Sequence, residues 1–573
     1  MKVFRARLAA LQPKRGSKRR WLYVPYDQLS DGIGPLSREE PGELGIVLIE
    51  APAKAARRPY HKQKLALVLA NQRHFALEQA ARGVAVRYEV AKTDYASTLR
   101  ELSVELGVLR TMDPAERELR HELAPLVAQG IVQIVPHEGW LSHREEFLAG
   151  VGRAPPYRMD AFYRALRTRT GILMAGGKPE GGKFSFDALN RRPYRGQPKA
   201  PTRPSFVPDE ITTEVCALIE RQFAHHPGQL RPAQLPATKA DAEALWRFAL
   251  DQCIPLFGPF EDAMAKDEDT LFHTCISPLL NLHRLLPARV VSDVATLAHV
   301  PLESREGFVR QVLGWREFVR HVHVETDGFR TLPDGPAPTQ TSPGDGGHGR
   351  WQGKPWPGAE APGHGGAAPS VLGADMPIPP AYWGTPSGLA CLDHVVASVF
   401  RDGFSHHITR LMVLSNLGTL LGIRPRDLTD WFWVAYIDAY DWVVEPNVLG
   451  MGTFAVGELM TTKPYVSGAA YLHKMSDYCG SCAFDPKKNC PITRLYWAFL
   501  GRHADRFAKN PRTSGPVASL RRRSEADRAE DARVFESMRS LLARGERITE
   551  ASLHSPGAAP APPKRRAPKH PSR

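Results

Sequence analysis

The chain has 573 residues, of which 42% are hydrophobic and 24% charged, enough to bury two or more cores and too apolar for a disordered chain. Its formal charge of +14 is concentrated at the ends: residues 1–20 hold eight Lys/Arg and no acid, and residues 551–573 hold five and no acid. The body between them is near neutral, so charge alone does not make it a nucleic-acid binder, and any DNA-binding face there must be a local patch. No run of about 18 apolar residues and no signal-peptide pattern occurs, which predicts a cytoplasmic protein without membrane contact.

Residues 1–20 read as a basic tail. After it, 21–24 and 46–49 read as buried strands, 61–82 as an amphipathic helix and 84–90, rich in Val and Tyr, as a third strand. Further helix and strand candidates follow, ending at 131–135. This alternation predicts an α/β domain over 21–140, a parallel sheet with flanking helices. No G-x-G-x-x-G follows the first strand, so an ordinary dinucleotide-binding site is not supported there. Residues 141–205, with Gly176-Gly177, Gly181-Gly182 and nearby prolines, read as an interdomain linker. From 206 helical periodicity takes over, predicting a large all-α domain over 206–330 and 376–545. Between these halves, Gly and Pro fill 19 of the 45 positions in 331–375, which predicts a disordered insertion. Residues 546–573 read as a disordered basic tail.

Four of the seven cysteines lie in the last third. Cys479-Gly480-Ser481-Cys482 and Cys490-Pro491 bring three thiols into one short loop, and Cys391 is available as a fourth ligand. Four thiolates suit structural zinc and an iron-sulfur cluster almost equally, and the proline after the last cysteine favours the cluster. Cys216, Cys253 and Cys275 read as core fillers. His406-His407 falls in a helical run, and His is the side chain that exchanges a proton near neutral pH. Trp431, Trp433, Tyr436, Tyr440 and Trp442 cluster in sequence with Asp438, Asp441, Glu445 and Asn447.

Together these residues resemble the photolyase/cryptochrome superfamily, in its bacterial branch of iron-sulfur (6-4) photolyases and cryptochrome-like relatives. The resemblance rests on Tyr26 to Ser30, Gly181 to Asp187 with Asn190-Arg191, Gly307 to Arg320, His406 to Asn416, Pro446 to Met451 and Met475 to Leu500. Only the tails and 331–375 fall outside it. It implies that the all-α domain binds FAD and carries a 4Fe-4S cluster on Cys391, Cys479, Cys482 and Cys490. It also implies UV-damaged DNA as partner and light-driven electron transfer to a flipped-out pyrimidine lesion. His273, Thr274, Ser277, Gln311, Asn416, Asp438 and Asn447 match flavin-side positions. His407 matches the histidine that protonates the (6-4) lesion, with His406 beside it. Asp187, Arg191, Met451, Tyr465 and Tyr471 match the lesion pocket, and Trp383 and Trp431 match the tryptophans that relay electrons to photoexcited oxidised flavin.

Three departures from the family pattern stand out, of which the one at Phe432 need not matter. Val444 replaces a flavin-side Glu, with a carboxylate one residue later at Glu445. Phe432 replaces a tyrosine beside the relay. At the site of a ribityl-lumazine antenna, Tyr26 replaces a glycine while Lys54 and Arg57 stand for Glu and Tyr, which predicts weak or absent lumazine binding despite Asp27. A cryptochrome-like blue-light sensor acting on an unidentified signalling partner is the alternative function. A nucleic-acid-binding protein with a structural zinc or cluster is a third.

Overall fold

The structure is a computed structural model that describes residues 1–13 and 19–554. Strands β1 (Arg20–Tyr23), β2 (Leu44–Glu50), β3 (Ala85–Val90), β4 (Leu109–Met112) and β5 (Val132–Val135) form one sheet in the order β3-β2-β1-β4-β5. Every neighbouring pair is parallel, with Leu22 opposite Ile46, Val47 opposite Arg87 and Leu109 opposite Val132. All seven residues of β2 are buried, because helices cover both faces, so its sequence LGIVLIE shows no polar alternation. The long helix Lys62–Ala81 begins where His61 Nδ1 accepts from the Gln63 N–H at 3.0 Å. Helices Tyr95–Leu106 and Arg117–Ala128 complete the flanking layers. The strand order reverses at β1, which opens a crevice at the carboxyl ends of the central strands, the usual ligand position in such sheets.

The expected 1–20 tail is instead headed by a helix, Lys2–Leu11, with Phe4 and Leu8 buried. Phe4 meets Tyr88 of β3 edge-on at 4.5 Å, and the terminal ammonium pairs with Glu214 at 2.8 Å. Counting charge hid the two apolar residues, four apart, that dock this helix on the α/β layer. Within 141–205, helices Arg144–Val151 and Met159–Thr170 pack through Phe147 and Phe162 against Phe318, so much of that linker belongs to the helical layer.

Beyond 205 the only described strands are two-residue pairings, and helices make the architecture. One apolar core runs unbroken from the sheet (Val47, Leu109) through Trp140 to Phe318 and Trp442, and a second fills the C-terminal helices around Tyr382, Trp431 and Phe535.

The expected disordered insertion over 331–375 is ordered against both cores. It makes a hairpin (Thr331–Leu332 with Gly335–Pro336) and a short helix, His348–Gln352, and it buries Trp356, whose Nε1–H donates to Ala56 O at 2.9 Å. Its glycines permit the contact: Gly346 has φ +61°, and a Cβ there would lie 2.6 Å from Trp431 Cα. In the 546–573 segment, Ile548 is buried and its N–H donates to Ser387 O at 2.8 Å; residues 555–573 lie outside the described residues. Among the described residues no helix is long and apolar enough to cross a membrane.

Candidate active site

Of the residues matched to flavin-side positions, Asp438 touches only Ser277. Its carboxylate accepts from Ser277 Oγ at 2.6 Å and from both Arg410 Nη atoms at 3.0 Å, while its backbone carbonyl accepts from Asn281. Arg410 was not among the sequence candidates, although it stands four residues after His406 in the same run; its charge on the helical turn after the histidines was the available signal. Gln311 donates to Glu261 at 2.6 Å, Asn447 to Val443 O at 2.8 Å, and Asn416 exchanges both amide ends with the Ser467 backbone. Thr274 is buried beside His273.

His273 joins the histidine pair. Its ring stacks on His406 with centroids 4.3 Å apart and planes 6° apart, and it meets His407 edge-on at 5.3 Å. Burial pushes His406 down to about 3 and His273 well below the ordinary imidazole range, so both rings are neutral at neutral pH. His407 is half-buried; burial holds it below its usual value, with the Glu261 carboxylate pulling the other way and Arg310 and Arg410 opposing protonation.

A polar cluster lies on one side of His407. Glu261 accepts from Asn190 at 2.6 Å and from Arg310 at 3.2 Å, and Arg310 reaches Asp187 at 3.3 Å. Asp187 also pairs with Arg191, which lies 3.7 Å from Asp262. Burial, together with Glu261 and Asp187, pushes Asp262 up to about 7. Tyr465 and Tyr471, both half-buried, are raised by burial and feel Asp187 and Arg191. Glu261 and Arg310 were missed by the sequence reading because neither lies in a motif beside the histidines. Met451 is half-buried on the turn Glu445–Gly452, and no contact ties it to this cluster.

Trp431 is fully buried and donates to Tyr382 O at 2.7 Å; Trp383 donates to Gly346 O at 2.8 Å. The two indoles are bridged by Phe400, 5.3 Å from Trp383 and 6.3 Å from Trp431. Glu445 faces away from this chemistry: it accepts from Arg426 at 2.7 Å and pairs with His323 at 2.8 Å in a buried network.

All seven cysteines are free. Cys391, Cys479, Cys482 and Cys490 line one small cavity with Tyr478 and Phe484. Among the described residues, no group of three or more His, Cys, Asp or Glu side chains is arranged to hold a metal ion. Cys216 and Cys253 are buried, as core fillers should be, while Cys275 is half-buried.

The crevice of the α/β sheet is filled from within. Lys54 Nζ donates to Tyr26 Oη at 2.6 Å and to Glu116, and the Tyr26 ring sits 6.3 Å from both Tyr95 and Tyr440. Arg57 pairs with Glu118 at 3.0 Å. Burial pushes Asp27 up to about 7 against the pull of Lys54.

A profile of the family described as deoxyribodipyrimidine photo-lyase-related protein matches residues 22–235. A (6-4) photolyase of Agrobacterium fabrum is 33% identical over 528 residues, 87% of this chain and 95% of that protein. The chain belongs to the photolyase-related family. Among solved structures, a bacterial class III photolyase from Agrobacterium tumefaciens aligns with TM-score 0.51 at 15% identity over 88% of this chain and 99% of that one. The Synechocystis sp. PCC6803 cryptochrome aligns with TM-score 0.50 at 14% identity over 91% and 95%. The fold of this photolyase-related chain is thus the photolyase/cryptochrome fold, and its family supports a photolyase-type function with FAD as cofactor and DNA as substrate.

Proposed function

We propose that the chain repairs (6-4) pyrimidine photoproducts in UV-damaged DNA under blue light, with reduced FAD as electron donor. What supports this most is His407, which packs edge-on against His273 at 5.3 Å and feels the charges of Glu261, Arg310, Asp187 and Arg410. Ser277, Gln311, Asn416, Asp438 and Asn447, with Thr274, would hold FAD, and their hydroxyl, amide and carboxylate groups suit the polar edges of a flavin and its ribityl-phosphate chain. When bound, FAD supplies the light-driven electron. Arg410 is fixed by Asp438 and holds a permanent positive charge next to the histidines. Asp187, Arg191 and Arg310 would receive the polar edges and phosphates of the flipped nucleotide, and Tyr465, Tyr471 and Met451 would wall the extruded bases, offsetting the unstacking cost of a few kcal/mol. His407, backed by His406 and His273, would deliver the proton that returning a hydroxyl between bases requires. An oligonucleotide carrying one (6-4) photoproduct should be restored by the reduced protein in blue light and not in darkness. No repair with intact flavin photoreduction would instead leave the second reading, a photoreceptor, which the filled crevice and Val444 favour.

Cys391, Cys479, Cys482 and Cys490 would hold a 4Fe-4S cluster. What supports this is that the four thiols line one common cavity, as the ligands of a shared metal centre must. Anaerobically purified protein should contain about four irons per chain, and Cys391→Ser should lower that and broaden thermal unfolding. Stoichiometric zinc in place of iron would refute the assignment.

The filled crevice predicts no antenna there. Lys54, Tyr26 and Glu116 already satisfy one another, so a lumazine would have to break a buried ion pair to enter. Protein denatured after purification should release FAD without stoichiometric lumazine.

A further inference from the structure

A cavity of about 370 Å³ opens where residues 370–375 meet the end of the helix Asn416–Leu421 and the two C-terminal helices Pro491–Arg502 and Glu525–Ala543. None of the residues matched to flavin, lesion, cluster or relay lines it. Its size falls within the usual range of small-molecule clefts, about 300–1,000 Å³. The inner wall is apolar or already satisfied: Ile423 and Ala455 are buried, Thr419 Oγ1 donates to Gly452 O at 2.9 Å, and Thr453 Oγ1 donates to Val448 O at 2.8 Å. That wall has surface for an apolar body and no hydroxyl proton to offer a polar one. The polar chemistry is at the rim. Arg502 is exposed there, its guanidinium carbon 3.5 Å from the centre of the Phe535 ring. Its Nη2 donates to Leu420 O at 3.0 Å, and among the described residues no carboxylate forms an ion pair with it. Stacking and that one bond fix the plane of the group and leave most of its five donors unspent, the state in which a guanidinium grips an oxyanion. Arg539 approaches the same ring at 5.2 Å but is committed, donating to Asp375 at 2.7 Å and to Leu421 O at 3.4 Å. Glu536, the other lining carboxylate, is exposed and pairs with neither arginine, so the unspent positive charge of the cavity is that of Arg502.

We infer that this cavity is a second binding site, for a small organic oxyanion whose apolar body lies against Ile423 and Ala455 and whose one carboxylate or phosphate group sits on Arg502. The site stands apart from the proposed repair chemistry and does not depend on it. Residues 370–375 are joined to its inner wall by the Val371 N–H, which donates to Ala455 O at 3.0 Å, and Pro425 at its edge opens the helix that carries Trp431. A bound molecule therefore touches the glycine- and proline-rich segment, the helical core and the C-terminal helices at once, and binding only the folded chain it raises the thermal midpoint.

The test is a titration of the full chain with anilinonaphthalene sulfonate, an aromatic anion that fluoresces in apolar surroundings, followed by displacement with phenylbutyrate, phenyl phosphate or inorganic phosphate. A saturable site is expected that either aromatic anion empties and inorganic phosphate, lacking the apolar body, does not; the tighter of the two identifies the preferred head group. Arg502→Gln removes a charge-assisted contact and should weaken both aromatic anions by about 10-fold or more. Leu372→Trp fills the cavity from its rim without a change of charge and should weaken them as well, with the urea midpoint of each variant confirming that it folds. In the parent protein, phenylbutyrate should slow hydrogen exchange in residues 370–375 and 535–539, a readout that needs no variant. Unchanged affinity in Arg502→Gln, displacement by inorganic phosphate as effective as by the aromatic anions, or protection confined to other segments would overturn the site.

Discussion

His407→Ala is expected to abolish light-driven (6-4) repair, by about 100-fold or more if the ring supplies general-acid catalysis, while FAD content stays at the parent level. The ring is half-buried and lies beside the groups assigned to the flipped lesion, whereas His406 is sealed beneath it with an unpartnered Nδ1. Burial, Arg310 and Arg410 keep His407 neutral in the free protein at neutral pH, against the pull of the Glu261 and Asp187 carboxylates towards the charged form. The protonated fraction therefore grows as pH falls, so repair per photon should rise on acidification from pH 8 towards 6 and flatten below the pKa of the complex. The residual activity of the alanine variant should lack this dependence. Wild-type-like repair by His407→Ala, or a parent profile rising with pH, would remove His407 from the proton-donor role. Asp262, pushed up to about 7 by burial, Glu261 and Asp187, also gains its proton as pH falls, so its titration must be separated from that of His407. Asp262→Asn, which fixes the neutral state, should therefore retain the His407-dependent limb.

The sheet was legible because its strands are buried on both faces and appear as short apolar runs: the β2 run at 46–49 needed only its ends extended to Leu44 and Glu50. The N-terminal helix and the 331–375 segment were not legible, for the same reason. Composition counts residues, whereas docking depends on a few anchors. Phe4 and Leu8 fix the first, and His348, Trp351 and Trp356 fix the second, although glycine and proline surround them. At the site, residues in contiguous motifs such as His406-His407 and the paired cysteines could be found in one dimension. Arg310 and Arg410 stand inside the Gly307–Arg320 and His406–Asn416 runs, but their roles, like that of Glu261, come from contacts across distant chain, as in Arg410–Asp438 and Glu261–Gln311. Glu445, the carboxylate one residue after Val444, is committed by the fold to Arg426 and His323.

That network predicts a large stability effect in the helical region. Arg426 is buried; its Nε and Nη2 donate to Asp430 Oδ1 at 2.9 and 2.6 Å, and its Nη1 donates to Glu445 Oε1 at 2.7 Å. It thereby ties the helix Pro425–Ala435, which carries Trp431, to the turn Glu445–Gly452, which carries Asn447. Arg426→Met keeps the length of the side chain and leaves two buried carboxylates without their cation, which should cost about 3–5 kcal/mol, read as a fall in the urea midpoint. The pH dependence identifies the cause. Burial pushes Asp430 up to about 6 even with Arg426 present, while His323 and Arg426 hold Glu445 down at about 2 against burial. A carboxyl whose folded pKa is raised gains stability as it protonates on acidification; one whose pKa is depressed loses it. Removing Arg426 raises both folded values, so the variant should recover relative to the parent between pH 7 and 5, and the gap should narrow. A deficit that stays constant with pH would show that Arg426 acts by packing alone. Because Asn447 rides on the tethered turn, the variant should also retain less FAD at pH 7, with the retained fraction rising in step with the recovery in stability.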